Sequence, residues 1–302
     1  MNRVRPYIQL ARLPNVFTAF ADICLAALAI GVALERWPTF VLLLLASGCL
    51  YCGGMVWNDF FDIEQDRRER PFRPLPSGRV KRSKAGWLGA GLLSLGWLFA
   101  LGAGSGPEGE WHWTPVIVAS LLVAMILLYD GWLKRTWAGP LAMGSCRFLN
   151  VLLGLCVAGP LTWTWEPHLA AVVGLYIVGV TWLARKEAGA SSPLSLTGAA
   201  VTMLASLLLG LMLPARLPPG AGSPLFPYLL VVLGFLVGLP ISYAILRPTP
   251  ARVQAAVRRA LMGLVVLDAV LATGLVGAMG LLILLLLLPV IYLNRRAWLY
   301  VT

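Results

Sequence analysis

Asn58-Asp59-Phe60-Phe61-Asp62-Ile63-Glu64-Gln65-Asp66-Arg67-Arg68 closes the second long apolar stretch of this chain, residues 38 to 58, and its reading decides how the rest folds. About twenty apolar residues are what an α-helix needs to cross a bilayer core of about 30 Å. A charged run directly after such a stretch therefore marks a helix leaving a membrane. The acidic residues recur every three or four positions. At 100° per residue Asn58, Asp59, Asp62 and Asp66 share an arc of about 100° on one helical face. Three carboxylates so placed repel one another unless a cation lies between them. Oxygen-only donors at a helix end suit Mg²⁺, which keeps several waters and shares its coordination with substrate phosphates. Immediately downstream stand Arg67, Arg68, Arg70, Arg73, Arg79, Lys81, Arg82 and Lys84. An acidic metal face beside a basic loop is a way to grip a diphosphate.

Working outward, further apolar segments run over 13 to 34, 83 to 103, 113 to 130, 140 to 158, 167 to 184, 194 to 213 and 226 to 246. The composition agrees: 59% hydrophobic and 12% charged, against roughly 25% charged in soluble chains. Thirty-five residues separate Arg259 from Arg295. As one helix they would reach about 52 Å, too long for a single crossing, so a hairpin is expected near Gly277 to Gly280. The fold expected is an all-α polytopic transmembrane bundle of nine to ten spans, one membrane-embedded domain over 1–302.

The net charge of +11 does not imply a nucleic-acid partner, because the basic residues cluster between alternate spans. Arg3, Arg5, Arg12, the cluster at Arg67 to Lys84, Lys134, Arg135, Arg185, Lys186, Arg247, Arg252, Arg258, Arg259, Arg295 and Arg296 fall on one side. Arg36 and Arg216 fall on the other. The positive-inside rule then predicts a multi-pass protein of the cell membrane, with both termini and the acidic motif facing the cytoplasm. Met1 to Leu13 lacks signal-peptide form, so the first span is expected to be a retained anchor. The five cysteines all lie in apolar segments and read as small packing residues.

The run Asn58-Asp59-x-x-Asp62-x-x-x-Asp66, followed by Arg73-Pro74-Leu75-Pro76-Ser77-Gly78, resembles the first aspartate-rich motif and the RPxxSG loop of the UbiA superfamily of membrane prenyltransferases. Order, spacing and position after the second span all match. Tyr129-Asp130-Gly131-Trp132-Leu133-Lys134-Arg135 looks like the family's Tyr-x-x-x-x-Lys-Arg element, whose cations help bind diphosphate. The resemblance implies Mg²⁺-dependent transfer of a prenyl group from an isoprenoid diphosphate to a small aromatic or lipid-like acceptor. Asp59, Asp62 and Asp66 would be catalytic and, with Asn58, hold the metal. Arg73, Lys134 and Arg135 would hold the diphosphate.

The likeness lapses after the sixth span. Where classical relatives carry a second aspartate-rich motif, this chain reads Thr181-Trp182-Leu183-Ala184-Arg185-Lys186-Glu187. Arg185 and Lys186 would supply positive charge there in place of a second metal. Inside the spans, Asp22, Arg147, Asn150 and Asp268 are polar groups that cost several kcal/mol unless paired or facing a wet cavity. Asp22, Arg147 and Asn150, with Tyr129, are the acceptor-site candidates; pairing of Arg147 with Asp22 or Asp268 is the structural alternative. A non-catalytic binder of isoprenoid diphosphates and a transporter are the competing functional classes.

Overall fold

In a hydrocarbon environment every backbone N–H and C=O must be satisfied within the segment, so the apolar runs have little choice but to be helical. The computed structural model describes residues 4–31, 35–106, 109–185, 192–216 and 223–295. A short helix α1 (Arg5–Leu10) precedes α2 (Phe17–Ile30) and α3 (Trp37–Phe61), which is followed by the short α4 (Ile63–Glu69). Then come α5 (Arg82–Gly102), α6 (Thr114–Gly131), α7 (Gly139–Leu155), α8 (Glu166–Ala184), α9 (Pro193–Leu211), α10 (Phe226–Leu246), α11 (Pro250–Val276) and α12 (Leu287–Arg295). Among the described residues nine helices or helix runs are long and apolar enough to cross a membrane, and there is no named strand.

The helix starts follow local chemistry. Pro38, Pro115, Pro140, Pro167, Pro193 and Pro227 each sit in a first turn, where the missing N–H removes a donor that would be orphaned anyway. Ser192 caps α9 through its hydroxyl, which accepts from the Ser195 N–H. Gly31, at φ +79°, ends α2 in the left-handed conformation that other residues rarely adopt.

The bundle closes around α2, which packs on α3, α7 and α11, while α8 bridges α7, α9 and α11. Small residues set the closest approach. A Cβ on Gly144 of α7 would stand 2.7 Å from the Gly174 carbonyl of α8, and one on Gly174 would stand 3.0 Å from the Gly144 carbonyl. Such backbone proximity supplies dispersion contact where lipid tails leave helices no hydrophobic drive to associate. Outward-facing Leu204, Val231 and Phe235 are exposed, as lipid-facing positions should be.

Two features depart from the sequence expectation. The acidic face is not one continuous helix: α3 ends at Phe61, and Asp62 (φ −93°, ψ 6°) is the joint between it and α4. The terminal hairpin does turn at Gly277 (φ +68°), but its return leg begins as the 3-10 run Gly277–Leu286 before α12. This run lies so close along α11 that a Cβ on Gly280 would collide with the Thr273 backbone. Ten residues rising about 2.0 Å each and nine rising 1.5 Å cover about 33 Å, a bilayer core in depth. The return leg accordingly ends near Leu13–Asn15, on the face where α2 begins.

Candidate active site

The joint at Asp62 brings the acids together with bases drawn from three parts of the chain. Asp59, in the last turn of α3, is buried and contacts the Arg12 guanidinium at 3.0 Å and that of Arg73 at 3.4 Å. Arg73 also donates to Asp66 at 2.8 Å and is itself only 6% exposed, so one buried arginine ties α3 to α4. Lys134 and Arg135, in the 3-10 turn after α6, approach Asp62 at 2.8 and 3.6 Å. Asp130, in the last turn of α6, accepts from the Asn58 amide at 2.9 Å and lies 3.9 Å from Lys134. Four carboxylates and four cations thus interlock with no formal excess of either sign.

The loop that delivers Arg73 is built for that task. The Ser77 hydroxyl donates to the Arg73 carbonyl at 2.6 Å, and Gly78 takes φ +72° to turn the chain. Leu75 and Val80 anchor it in a small apolar cluster with Leu10, Val56 and Ile63. Arg79 reaches from the same loop to Gln9 at 3.0 Å, which fastens α1 over the site. Arg12 itself adopts φ +46°, a conformation unfavourable for a side-chain-bearing residue, at the break between α1 and the Leu13–Asn15 turn.

Electrostatics follow burial. Burial pushes the Asp66 carboxyl above the ordinary carboxylate range, with the Arg73 contact pulling the other way. Burial opposes the charge on Arg12, but neighbouring Asp59 overrides it and holds the guanidinium more firmly protonated than usual.

Behind this cluster opens a narrow pocket of about 80 Å³ between α2, α3, α6 and α7. Asp130 and Tyr129 lie at its charged end, Leu50, Leu122, Ile126 and Met143 among its walls, and Ser47, Arg147 and Asn150 towards its inner end. From Met55 to Ser47 its α3 wall is about 12 Å long at 1.5 Å per residue.

The expected site residues do not all converge. Asn58, Asp59, Asp62, Asp66, Arg73, Lys134 and Arg135 meet in one cluster, with Tyr129 at the pocket edge. Asp22, Arg147 and Asn150 form a separate group deeper in the bundle. Arg185 instead donates to the Thr136 and Trp137 carbonyls, beside the Lys134 loop, and has no carboxylate partner among the described residues. Lys186 and Glu187 lie outside the described residues. Arg12 and Asp130 belong to the cluster although the sequence reading did not assign them. For Arg12 the available signal was the Leu13-Pro14 break, which stops the first span level with the acids.

Among the described residues no three acidic, histidine or cysteine side chains stand ready as a closed metal cage. In its place each carboxylate of the motif is held by a base. Mg²⁺ does not require such a cage, because one or two carboxylates, waters and substrate phosphates usually complete its shell. Asp62 Oδ1 is buried and accepts no hydrogen bond among the described residues; it faces Arg135 at 3.6 Å, an ion pair loose enough for a divalent cation to share that oxygen. The oxygen chemistry therefore fits Mg²⁺ arriving with a phosphate ligand.

Fold and site together define a polytopic helical membrane protein with an acid–base cluster at one membrane face, set over an apolar pocket. Residues 16–265 match the UbiA prenyltransferase family model, and the chain belongs to that family. Among curated relatives, digeranylgeranylglyceryl phosphate synthase of Methanothermobacter thermautotrophicus is 31% identical over 178 residues, 57% of this chain and 56% of the relative. The synthase of Sulfolobus acidocaldarius is 32% identical over 127 residues, 42% of each chain. These matches span about half the length of the relatives. Two solved structures share the fold. One, described as digeranylgeranylglyceryl phosphate synthase in membranes, gives TM-score 0.66 at 21% identity, covering 91% of this chain and 99% of its own. A UbiA homologue from Archaeoglobus fulgidus bound to GPP and Mg²⁺ gives 0.57 at 14%, covering 86% and 99%.

Proposed function

We propose that this chain transfers a prenyl group from an isoprenoid diphosphate to an acceptor held within the membrane, with Mg²⁺, at the cytoplasmic face of the cell membrane. The observation that carries the reading is the junction at Asp130: an apolar pocket between the helices opens onto a cluster of four cations and four carboxylates. That arrangement suits one ligand with an anionic head and a hydrocarbon tail. The relatives' name and the GPP and Mg²⁺ bound by the Archaeoglobus fulgidus homologue support the same ligand chemistry.

Asn58, Asp59, Asp62 and Asp66 would hold the metal, which when bound neutralises charge developing on the departing diphosphate. Arg73, Lys134 and Arg135 grip the diphosphate oxygens. These cations are fixed before the bond breaks, so they stabilise the leaving group without reorganising. The pocket wall of Leu50, Leu122, Ile126 and Met143 keeps water from the allylic cation until the acceptor captures it. Tyr129, Arg147 and Asn150 face that pocket and orient the acceptor, with Asp22 holding the latter two. A transport pathway is disfavoured because Asp22 and Asp268 are fully buried rather than lining a wet channel.

The test is a membrane preparation carrying the chain, incubated with Mg²⁺ and a panel of labelled prenyl diphosphates, with lipid extracts identified by mass. A prenylated product that requires Mg²⁺ is expected. Binding of a prenyl diphosphate without any product would indicate a non-catalytic carrier.

A further inference from the structure

The inner end of the pocket carries a charge pattern that the cluster at its mouth does not. Arg147 presents its guanidinium there, but Asp22 accepts from its Nη1 at 3.0 Å, and Thr18 takes two more N–H groups through its carbonyl at 2.9 Å and its hydroxyl at 2.8 Å. The same Asp22 oxygen accepts from the Asn150 amide at 2.7 Å, whose second N–H goes to the Ala19 carbonyl at 3.1 Å. The Asn150 carbonyl is taken by the Ser47 hydroxyl at 2.7 Å. Behind Asp22 stands Asp268 of α11, wholly buried; among the described residues no N–H or hydroxyl donates to its carboxyl, which meets the carboxyl of Asp22.

Arg147 is the single base in this group, set against two carboxyls. With both ionised the group carries a net negative charge, and with one protonated it is neutral. In neither state does an entering anion find an uncompensated cation, so its desolvation would go unrepaid. An uncharged oxygen fares differently. Of the five guanidinium N–H groups, three are used as above, which leaves two to donate. The Tyr51 ring lies under the guanidinium, 5.6 Å from centroid to carbon, and its hydroxyl-bearing side chain also lines the pocket.

We propose that the Asp22–Arg147–Asp268 group makes the inner end of the pocket selective for an uncharged, oxygen-bearing part of the acceptor, an alcohol or a ketone, and excludes carboxylates and phosphates from it. Any anionic group on the acceptor stays at the mouth, where Arg73, Lys134 and Arg135 stand. This inference rests on the functional reading above for the word acceptor, while the charge selectivity itself can be measured without any prenyl transfer. Asp22 acts as a positioning and specificity residue, since it sets both the direction and the net charge of what Arg147 offers.

Cys146 lines the same pocket next to Arg147 and serves as a reporter. In the full chain with Cys24, Cys49, Cys52 and Cys156 replaced by serine, modification of Cys146 is timed with a neutral methanethiosulfonate and with its sulfonate-bearing analogue. The expected anionic rate is at least tenfold below the neutral rate. Asp22→Asn with Asp268→Asn should raise the anionic-to-neutral ratio at least tenfold, and Asp268→Asn alone should raise it partway if the double variant does not fold. Arg147→Gln should lower the ratio further. A loss of packing alone would speed both reagents together and leave their ratio unchanged. Equal rates in the parent protein, or a ratio that ignores the aspartate substitutions, would overturn the proposal. Lack of prenyl product from any acceptor would instead count against the functional reading, with the charge selectivity still decided by these rates.

Discussion

Arg73→Gln removes the cation that bridges Asp66 at 2.8 Å and Asp59 at 3.4 Å in a setting where all three side chains are nearly inaccessible. Removing one partner of a buried pair costs about 3–5 kcal/mol, because the other charge is left stranded. Two features place this case at the lower end. Asp59 keeps Arg12 at 3.0 Å, and Asp66 is already pushed upward by burial, so it can take a proton rather than remain a bare anion. A loss of about 3 kcal/mol corresponds to roughly 6–12 °C in Tm, on the scale of 2–4 °C per kcal/mol for larger domains. The substitution also frees Asp66, and leaves Asp59 with Arg12 alone, for a divalent ion to use. Mg²⁺ at a hundred times its Kd returns about 2.7 kcal/mol. Thermal unfolding of the detergent-solubilised protein, with and without Mg²⁺, therefore should show a lower Tm for the variant but a larger Mg²⁺-induced rise than in the parent. An unchanged Tm, or a loss that Mg²⁺ leaves untouched, would refute the claim that Arg73 compensates the charge of carboxylates that can also bind the metal.

Other consequences can be checked independently. Gly54 lines the pocket, and a Cβ there already meets Ile126 at 3.2 Å, so Gly54→Phe should fill the cavity and abolish prenyl-diphosphate binding, measured by displacement of labelled ligand. A conserved affinity would mean the tail lies elsewhere. With a return leg after Gly277, a reporter fused behind Thr302 should be cytoplasmic. An extracytoplasmic signal would contradict the hairpin.

The spans were legible because a bilayer imposes length and apolarity on each segment separately, and Trp37–Phe61 or Phe226–Leu246 needs no knowledge of its neighbours. The acidic motif was legible for the same reason: its spacing is local. What depends on packing was not. Arg147 had two possible partners, Asp22 and Asp268, and only the approach of α7 to α2 selects Asp22, 125 positions away. Arg12 reads as one more topology signal until the Leu13–Asn15 turn places it against Asp59. The joint at Asp62 and the 3-10 return leg are backbone adjustments to neighbouring helices, which a helical period cannot register. Arg185 was assigned to the diphosphate by charge alone, and the path of α8 takes it to the Thr136 and Trp137 carbonyls instead.

The most direct measurement compares the parent and Asp62→Asn for Mg²⁺-dependent prenyl transfer in membranes, after confirming equal insertion. Asp62 faces Lys134 through one oxygen at 2.8 Å and the more distant Arg135 through the other at 3.6 Å, so it joins the metal and diphosphate halves of the site. Loss of one preorganised electrostatic contact typically costs about 10²–10³ in rate, and the variant is expected to fall by at least that factor. Full activity in Asp62→Asn would contradict a metal–diphosphate site built on this motif.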